Sequence, residues 1–351
     1  MESGPLRPAV MTSSSERRLA DLFHEVQTIS GISLFDILLV RRPEMIDSGV
    51  VNQDEFRNAY HRMSEIVADT KKFLRIEEHI VREVCSQGVE VSAIATYFPD
   101  ISATDEDARK RAVDAVQNSV KTAIRLCRER NRRNIPCMRY PIVEIVCGSV
   151  VDRKSADPAD AARRTVSPQD KKLEILFRSL EEVVRSVRSN HGGSFGIALE
   201  LEPGETYVLN SLDTLNRIDD WLTSAETNRN AEGLHRHIGF NLDIAHMRIA
   251  GITDADLTTF KDRIVHAHIS DHPGMHTHDQ VVGSWTDYRN ARGGYTAYWK
   301  LLNQRLASAA TTDNIRPPFS GAVAIELEGC NRIAWIHDSV TRLRHSIMAA
   351  S

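Results

Sequence analysis

Glu200 in IALELEPGE, Asp243 in FNLDIAH, His268 in VHAHISD and Glu326 in AIELEG each interrupt an otherwise apolar run of the sequence, close to its end. Burying one such group unpaired is costly, and burying several together calls for a cation that neutralises them. A lone Glu near a strand end is ordinarily solvated or salt-bridged. Agreement across successive runs argues instead for a shared site. Three carboxylates and one imidazole make a hard, oxygen-rich donor set. It suits one divalent ion, with Mn2+, Mg2+ or Co2+ preferred and Zn2+ also accommodated, and leaves open positions for a substrate.

The same segments contain rivals. Strand alternation puts Glu202 on the face of Glu200 and His266 on the face of His268. Both are therefore alternative ligands; Glu202 otherwise reads as a substrate contact, and the lower-lying His266 as a hydrogen-bonded core histidine. The spacing in Asp243-Ile-Ala-His246 places His246 just beyond the strand, where the chain is expected to turn into a loop. His246 then supports the ligands, contacts substrate, or binds another metal. The loop DHPGMHTHDQ carries His272, His276 and His278 close together in a chain with 14 histidines; the plainer reading is a polar surface turn. Glu144, in the middle of PIVEIVCG, fits a structural role as well as a catalytic one. Glu328 faces the mouth of the site or caps its rim.

The elements that must hold these side chains alternate along the chain. Short β-branched runs, RPAVMT, ISLFDILLV, VEVSAIATYF, YPIVEIVCG, FGIALELE, HIGFNLDIAH, RIVHAHISD and GAVAIELEG, are separated by helical patterns. The helical patterns cover residues 15–29, 54–86, 104–130, 168–189, 209–223, 253–261, 295–306 and 331–348. Thr104, Ser167 before Pro168, and Thr253 are expected to open three of these helices. Eight strands, each followed by a helix, predict an α/β fold, a single (β/α)8 TIM barrel spanning residues 1–351. Barrel active sites gather at the C-terminal strand ends, where the acidic and histidine residues lie. Residues 1–12 are expected to be partly disordered, and the charged, Pro-containing stretch 152–167 to be an exposed insertion.

Composition narrows the function. With 44 Lys and Arg against 48 Asp and Glu, the formal charge of −4 provides no basic excess to attract a phosphate backbone, so a nucleic-acid partner is not expected. The five cysteines, Cys85, Cys127, Cys137, Cys147 and Cys330, are scattered and read as reduced thiols. No apolar run approaches the roughly 20 residues of a membrane span, and the opening MESGPLRPAVMTSSS lacks a signal-peptide order. The expected compartment is the cytoplasm, with no membrane partner. An exposed helix face could support a homo-oligomer.

The segments ALELEPG, NLDIAHMRIAG, VHAHISDH, HTHD and AIELEG together resemble the xylose isomerase-like barrel superfamily. That superfamily gathers sugar isomerases, ketose 3-epimerases, keto-inositol isomerases and dehydratases, and endonuclease IV. In its ketose epimerases the glutamates matching Glu200 and Glu326 bind the metal and exchange protons with the sugar, while the matching aspartate and histidine complete the coordination. The resemblance thus implies proton abstraction next to a carbonyl, through an enediolate, in a sugar, keto sugar or cyclitol, with His246 on a substrate oxygen. Related barrels eliminate water or an aglycone after the same first step, which makes a lyase or dehydratase the neighbouring alternative. A non-catalytic barrel serving as a binding subunit is the alternative from another class. The three-zinc cluster of endonuclease IV also needs histidines from the strands matching VEVSAIATYF and PIVEIVCG, and neither run has one. His246, His276 and His278 nonetheless fall where its third zinc binds, so the resemblance leaves room for a second metal there. The long segment after HTHDQ and the insertion near Pro158 depart from the compact epimerases and would border the mouth.

Overall fold

Each apolar run forms a strand in the computed structural model, which describes residues 6–52, 63–133, 140–152, 165–166, 168–191, 194–227, 233–270, 295–309, 317–327 and 332–350. The strands are β1 (Arg7–Met11), β2 (Leu34–Leu38), β3 (Glu90–Thr96), β4 (Ile142–Val146), β5 (Val151–Asp152), β6 (Thr165–Val166), β7 (Gly196–Glu200), β8 (Ile238–Asp243), β9 (Ile264–Ile269) and β10 (Ala322–Ile325). All but β5 and β6 close into one parallel barrel in the order β1-β10-β9-β8-β7-β4-β3-β2. The fold is therefore the expected (β/α)8 TIM barrel.

The two faces of the strands have different work. Outward residues such as Phe35, Ile37, Val143, Ile145, Ile197, Leu199, Phe240 and Leu242 are buried under the surrounding helices. The helix Gln169–His191 presents Leu173, Leu176, Leu180, Val183, Val184 and Val187, spaced three and four apart on one face. Inside, Ala9, Ala322 and Ala324 cluster with Leu34, and Ala93 and Ala198 with Ile142 and Val265. These small residues leave the lumen room for polar side chains. Gly239 in β8 is a forced choice. A Cβ there would lie 2.3 Å from both the Arg263 carbonyl oxygen and Val265 Cγ2, just before the register between β8 and β9 shifts at Phe240/Asn241.

Several expectations need correction. Residues 7–11 form β1, the strand expected of RPAVMT, within the segment 1–12 otherwise expected to be partly disordered; their backbone pairs on one side with β10 and on the other with β2 and so closes the barrel. The helix expected at 104–130 begins at Glu106. Asp105, not Thr104, is its cap, its carboxylate accepting from the Ala108 N–H at 2.7 Å. Thr253 does cap its helix, in a reciprocal box with Asp256. The pattern over 54–86 is divided at Asp69, which caps the helix Thr70–Ser86. Within the stretch 152–167, Val151–Asp152 and Thr165–Val166 pair antiparallel as a short ribbon, and residues 153–164 and 167 lie outside the described residues. Cys85, Cys127 and Cys147 are buried, and Cys85 and Cys147 are free thiols. Among the described residues no helix is long and apolar enough to cross a membrane.

Candidate metal centre

Glu200 is the last residue of β7, Asp243 the last of β8, His268 lies one residue before the end of β9, and Glu326 follows β10 directly. The Glu326 amide still donates to Ile269 O at 3.1 Å, continuing the ladder. All four are buried, none more than 4% exposed. One donor atom from each lies within 4.8 Å of the others. Octahedral coordination at about 2.0–2.1 Å separates cis ligands by about 2.9 Å and trans ligands by about 4.1 Å, so modest contraction would close this set on an ion. The hard, mainly carboxylate donor set fits a divalent cation as well as the spacing does.

His268 faces two ways. Its Nδ1 is 3.2 Å from Glu326 Oε2 and 3.5 Å from Glu200 Oε1. Its Nε2 is 3.1 Å from Asp36 Oδ2 and 3.0 Å from Glu144 Oε2. Burial alone would pull the imidazole toward its neutral form. The carboxylates of Glu144, Asp36 and Glu200 overcome it and hold the ring's pKa well above the ordinary histidine value. Burial, with Glu144 and Glu326 close by, pushes the Glu200 carboxyl well above the usual range. Without a cation, therefore, the cluster favours retaining protons.

Local structure fixes each ligand. Asp243 is also the N-cap of the helix Ile244–Ile249: its Oδ1 accepts from the Ala245 and His246 amides at 2.7 and 3.0 Å, and the Ser270 hydroxyl donates to Oδ2 at 3.0 Å. Asn241 Nδ2 donates to Glu200 Oε1 at 3.3 Å. The Tyr298 hydroxyl reaches the carbonyls of Leu242 and His268 at 2.8 and 2.9 Å, tying together the ends of β8 and β9.

His246 lies in the first turn of that helix, not in a loop, because Asp243 satisfies the free amides and starts the helix at once. Its Nδ1 donates to Leu201 O at 2.9 Å and lies 3.7 Å from Glu200 Oε1. Glu202 follows β7, is half-buried, and contributes no atom to the converging set. His266 is a hydrogen-bonded core histidine, its Nε2 2.6 Å from Asp36 Oδ2 and its Nδ1 3.0 Å from Ser320 Oγ. Glu144 reaches the centre: it is 2% exposed, and its Oε2 lies against His268 Nε2. His272, His276, His278 and Glu328 lie outside the described residues.

Sequence reasoning overlooked Asp36, in LFDIL of β2. It is fully buried and accepts hydrogen bonds from His266 and His268 through Oδ2 and from the Ser92 hydroxyl through Oδ1. Burial opposes its ionisation, but His266 and His268 hold its carboxyl well below the usual range. The available signal was a carboxylate centred in an apolar run, which must find partners inside the barrel.

Comparison with known proteins bears on the fold and the lineage. The chain matches no curated protein. Among solved structures it is similar to the IolI protein with a bound zinc atom, at 13% identity and a TM-score of 0.56 over 98% of this chain and 97% of that one. It is also similar to an AP endonuclease of family 2 from Brucella melitensis, at 12% identity and a TM-score of 0.52 over 97% and 98% of the two chains. At such identities the likeness carries the fold alone. The family model for the xylose isomerase-like TIM barrel matches residues 52–307, a span that takes in the strands from β3 to β9 and most of the buried acidic cluster. The chain belongs to the xylose isomerase-like TIM barrel family.

Proposed function

We propose that this protein is a divalent-metal-dependent isomerase or epimerase of a sugar, keto sugar or cyclitol. The observation that carries this reading is the approach of two carboxylates, Glu200 and Glu326, to one imidazole nitrogen from strands on either side of β8 and β9. Glu200, Asp243, His268 and Glu326 would hold the ion. A bound divalent cation would supply Lewis acidity, stabilising the negative charge that develops when a proton leaves the carbon beside a carbonyl.

The chain's own groups supply the proton transfer. Glu200, whose pKa is raised by burial and by its acidic neighbours, suits both taking and returning a proton. Glu326, on the other side of His268, would serve the opposite face of the substrate, as epimerisation requires. His246 donates through Nδ1 to Leu201 O, which fixes the ring beside Glu200, and its imidazole would contact a substrate hydroxyl. Glu202, His276 and His278 are proposed as further substrate contacts. A small molecule is favoured over nucleic acid because the chain has no cationic excess and the cluster is deeply buried.

Elemental analysis of the purified protein, beside a Glu200→Ala/Asp243→Ala variant, tests the metal. About one equivalent of Mn, Co, Mg or Zn, lost in the variant, is expected. Incubation with keto sugars and cyclitols in deuterated water should then place deuterium at the carbon beside the carbonyl. Loss of water or an aglycone in the same assay would move the reading to a lyase of the same substrates. Bound metal with no exchange at any carbon across that panel would sink the enzymatic reading and leave a binding subunit.

A further inference from the structure

Lys121, Arg125, Arg128 and Arg132 follow one another along the helix Glu106–Arg132 at helical spacing and so share one face. Like charges at that spacing repel. Here they line a cavity of about 470 Å3, together with Glu77 of the helix Thr70–Ser86 and His191, the last residue of the helix Gln169–His191. Arg132 and His191 end the helices that lead into β4 and β7. The cavity therefore lies toward the N-terminal strand ends, whereas the acidic cluster occupies the C-terminal ones.

Among the described residues that line the cavity, the acids Glu77 and Glu129 are already engaged. Glu77 pairs with Arg125 and also receives the Thr122 hydroxyl at 3.4 Å. Glu129 takes two bonds from Arg132, both at 2.9 Å. Lys121 and Arg128 remain. Lys121 donates to Asn118 Oδ1 at 3.2 Å and Arg128 to the His191 carbonyl at 3.3 Å, both uncharged acceptors. Two cations thus stand beyond those that the cavity's own acids offset, in a chain whose formal charge is −4. Burial, and then Lys121 and Arg128, lower the pKa of the His191 imidazole, so both cations act on that ring.

We infer that this cavity is a binding site for a small phosphate-bearing dianion, held between Lys121 and Arg128 with Arg125 and Arg132 at its border. A concave site lined by one sign of charge focuses the field on an entering ion. The guanidinium fork of Arg128 matches two phosphate oxygens, and Lys121 adds a compact point charge. A dianion balances the two surplus cations and relieves their repulsion. The bounded volume suits a small molecule better than a nucleic-acid strand, which needs an extended cationic track. The site stands apart from the proposed reaction and needs no metal.

Calorimetric titration of the purified protein with glycerol 3-phosphate or inorganic phosphate should show saturable binding near one equivalent. In 1H–13C NMR the His191 ring should then titrate at higher pH, because a neighbouring anion favours the imidazolium. In the Lys121→Gln/Arg128→Gln variant the affinity should fall about tenfold or more. Either single substitution should act in the same direction, which keeps the test available if the double variant fails to fold. The Glu200→Ala/Asp243→Ala variant should keep its affinity; loss there would place the anion at the metal centre and overturn the site. Succinate, of equal charge, should bind more weakly, and equal affinity would overturn the phosphate assignment. Tighter, competing binding of a single-stranded oligonucleotide would overturn the small-molecule one. Binding that never saturates, or that survives the double substitution unchanged, would overturn the site itself.

Discussion

Asp243 and Glu326 would both be ligands, yet their substitutions should behave differently. Glu326 follows its strand and is proposed to move a proton as well as hold the ion. Glu326→Gln keeps the side chain's shape, so it should leave the fold intact, weaken metal binding and abolish solvent deuterium exchange; measurable exchange at the wild-type rate would defeat its assigned role. Asp243 is also the cap of the helix Ile244–Ile249. An amide oxygen can still accept from the helix amides, so Asp243→Asn should mainly lower metal affinity. Replacement by Ala would add the loss of a cap, about 0.5–2 kcal/mol by thermal unfolding.

The strands were legible because their β-branched runs and the acidic residues near their ends repeat the same arrangement. Glu200, Asp243, His268 and Glu326 could be read together since each interrupts such a run at the same level. Asp36 could not be read in this way. Its partners His266 and His268 lie 230 and 232 residues away, and no local spacing in LFDIL points to them. Glu144 stayed ambiguous for the same reason: its contact with His268 crosses the lumen and not a strand pairing. The helix Ile244–Ile249 escaped notice because a six-residue helix gives too few turns for periodicity, and its cap was already spoken for as a ligand. Within β8, Gly239 leaves no room for a side chain. Gly239→Ala would press a methyl group into the Arg263 carbonyl and Val265. A loss of about 1–3 kcal/mol in denaturant unfolding is expected, and an unchanged midpoint would show that β9 can yield there.

For the whole molecule, the buried charge links stability to pH and to metal in opposite senses. The pKa values of Glu200 and His268 are raised in the folded protein. Groups raised in this way contribute stability that is complete below their unfolded pKa values and lost as pH rises through the folded ones. Asp36, whose pKa is depressed, contributes above its unfolded value and loses that contribution only in strong acid. The metal-free protein should therefore melt at a lower temperature as the buffer goes from mildly acidic to mildly alkaline. Metal competes with those same protons, so its affinity, and the rise in melting temperature it produces, should grow over the same interval. Parallel thermal scans with and without Mn2+ would check both. A metal-free melting point that climbs with pH would contradict the protonation assigned to the cluster.

The double duty of Asp243 also gives the protein its own gauge of occupancy. Two amides, those of Ala245 and His246, rest on one of its oxygens. A cation that pins this carboxylate also stills the first turn of the helix, and one that leaves frees it to open. Hydrogen exchange at these two amides should thus slow with added metal in proportion to the fraction of chains filled. The readout needs no substrate and no turnover, and it would report binding even for ions that support no chemistry.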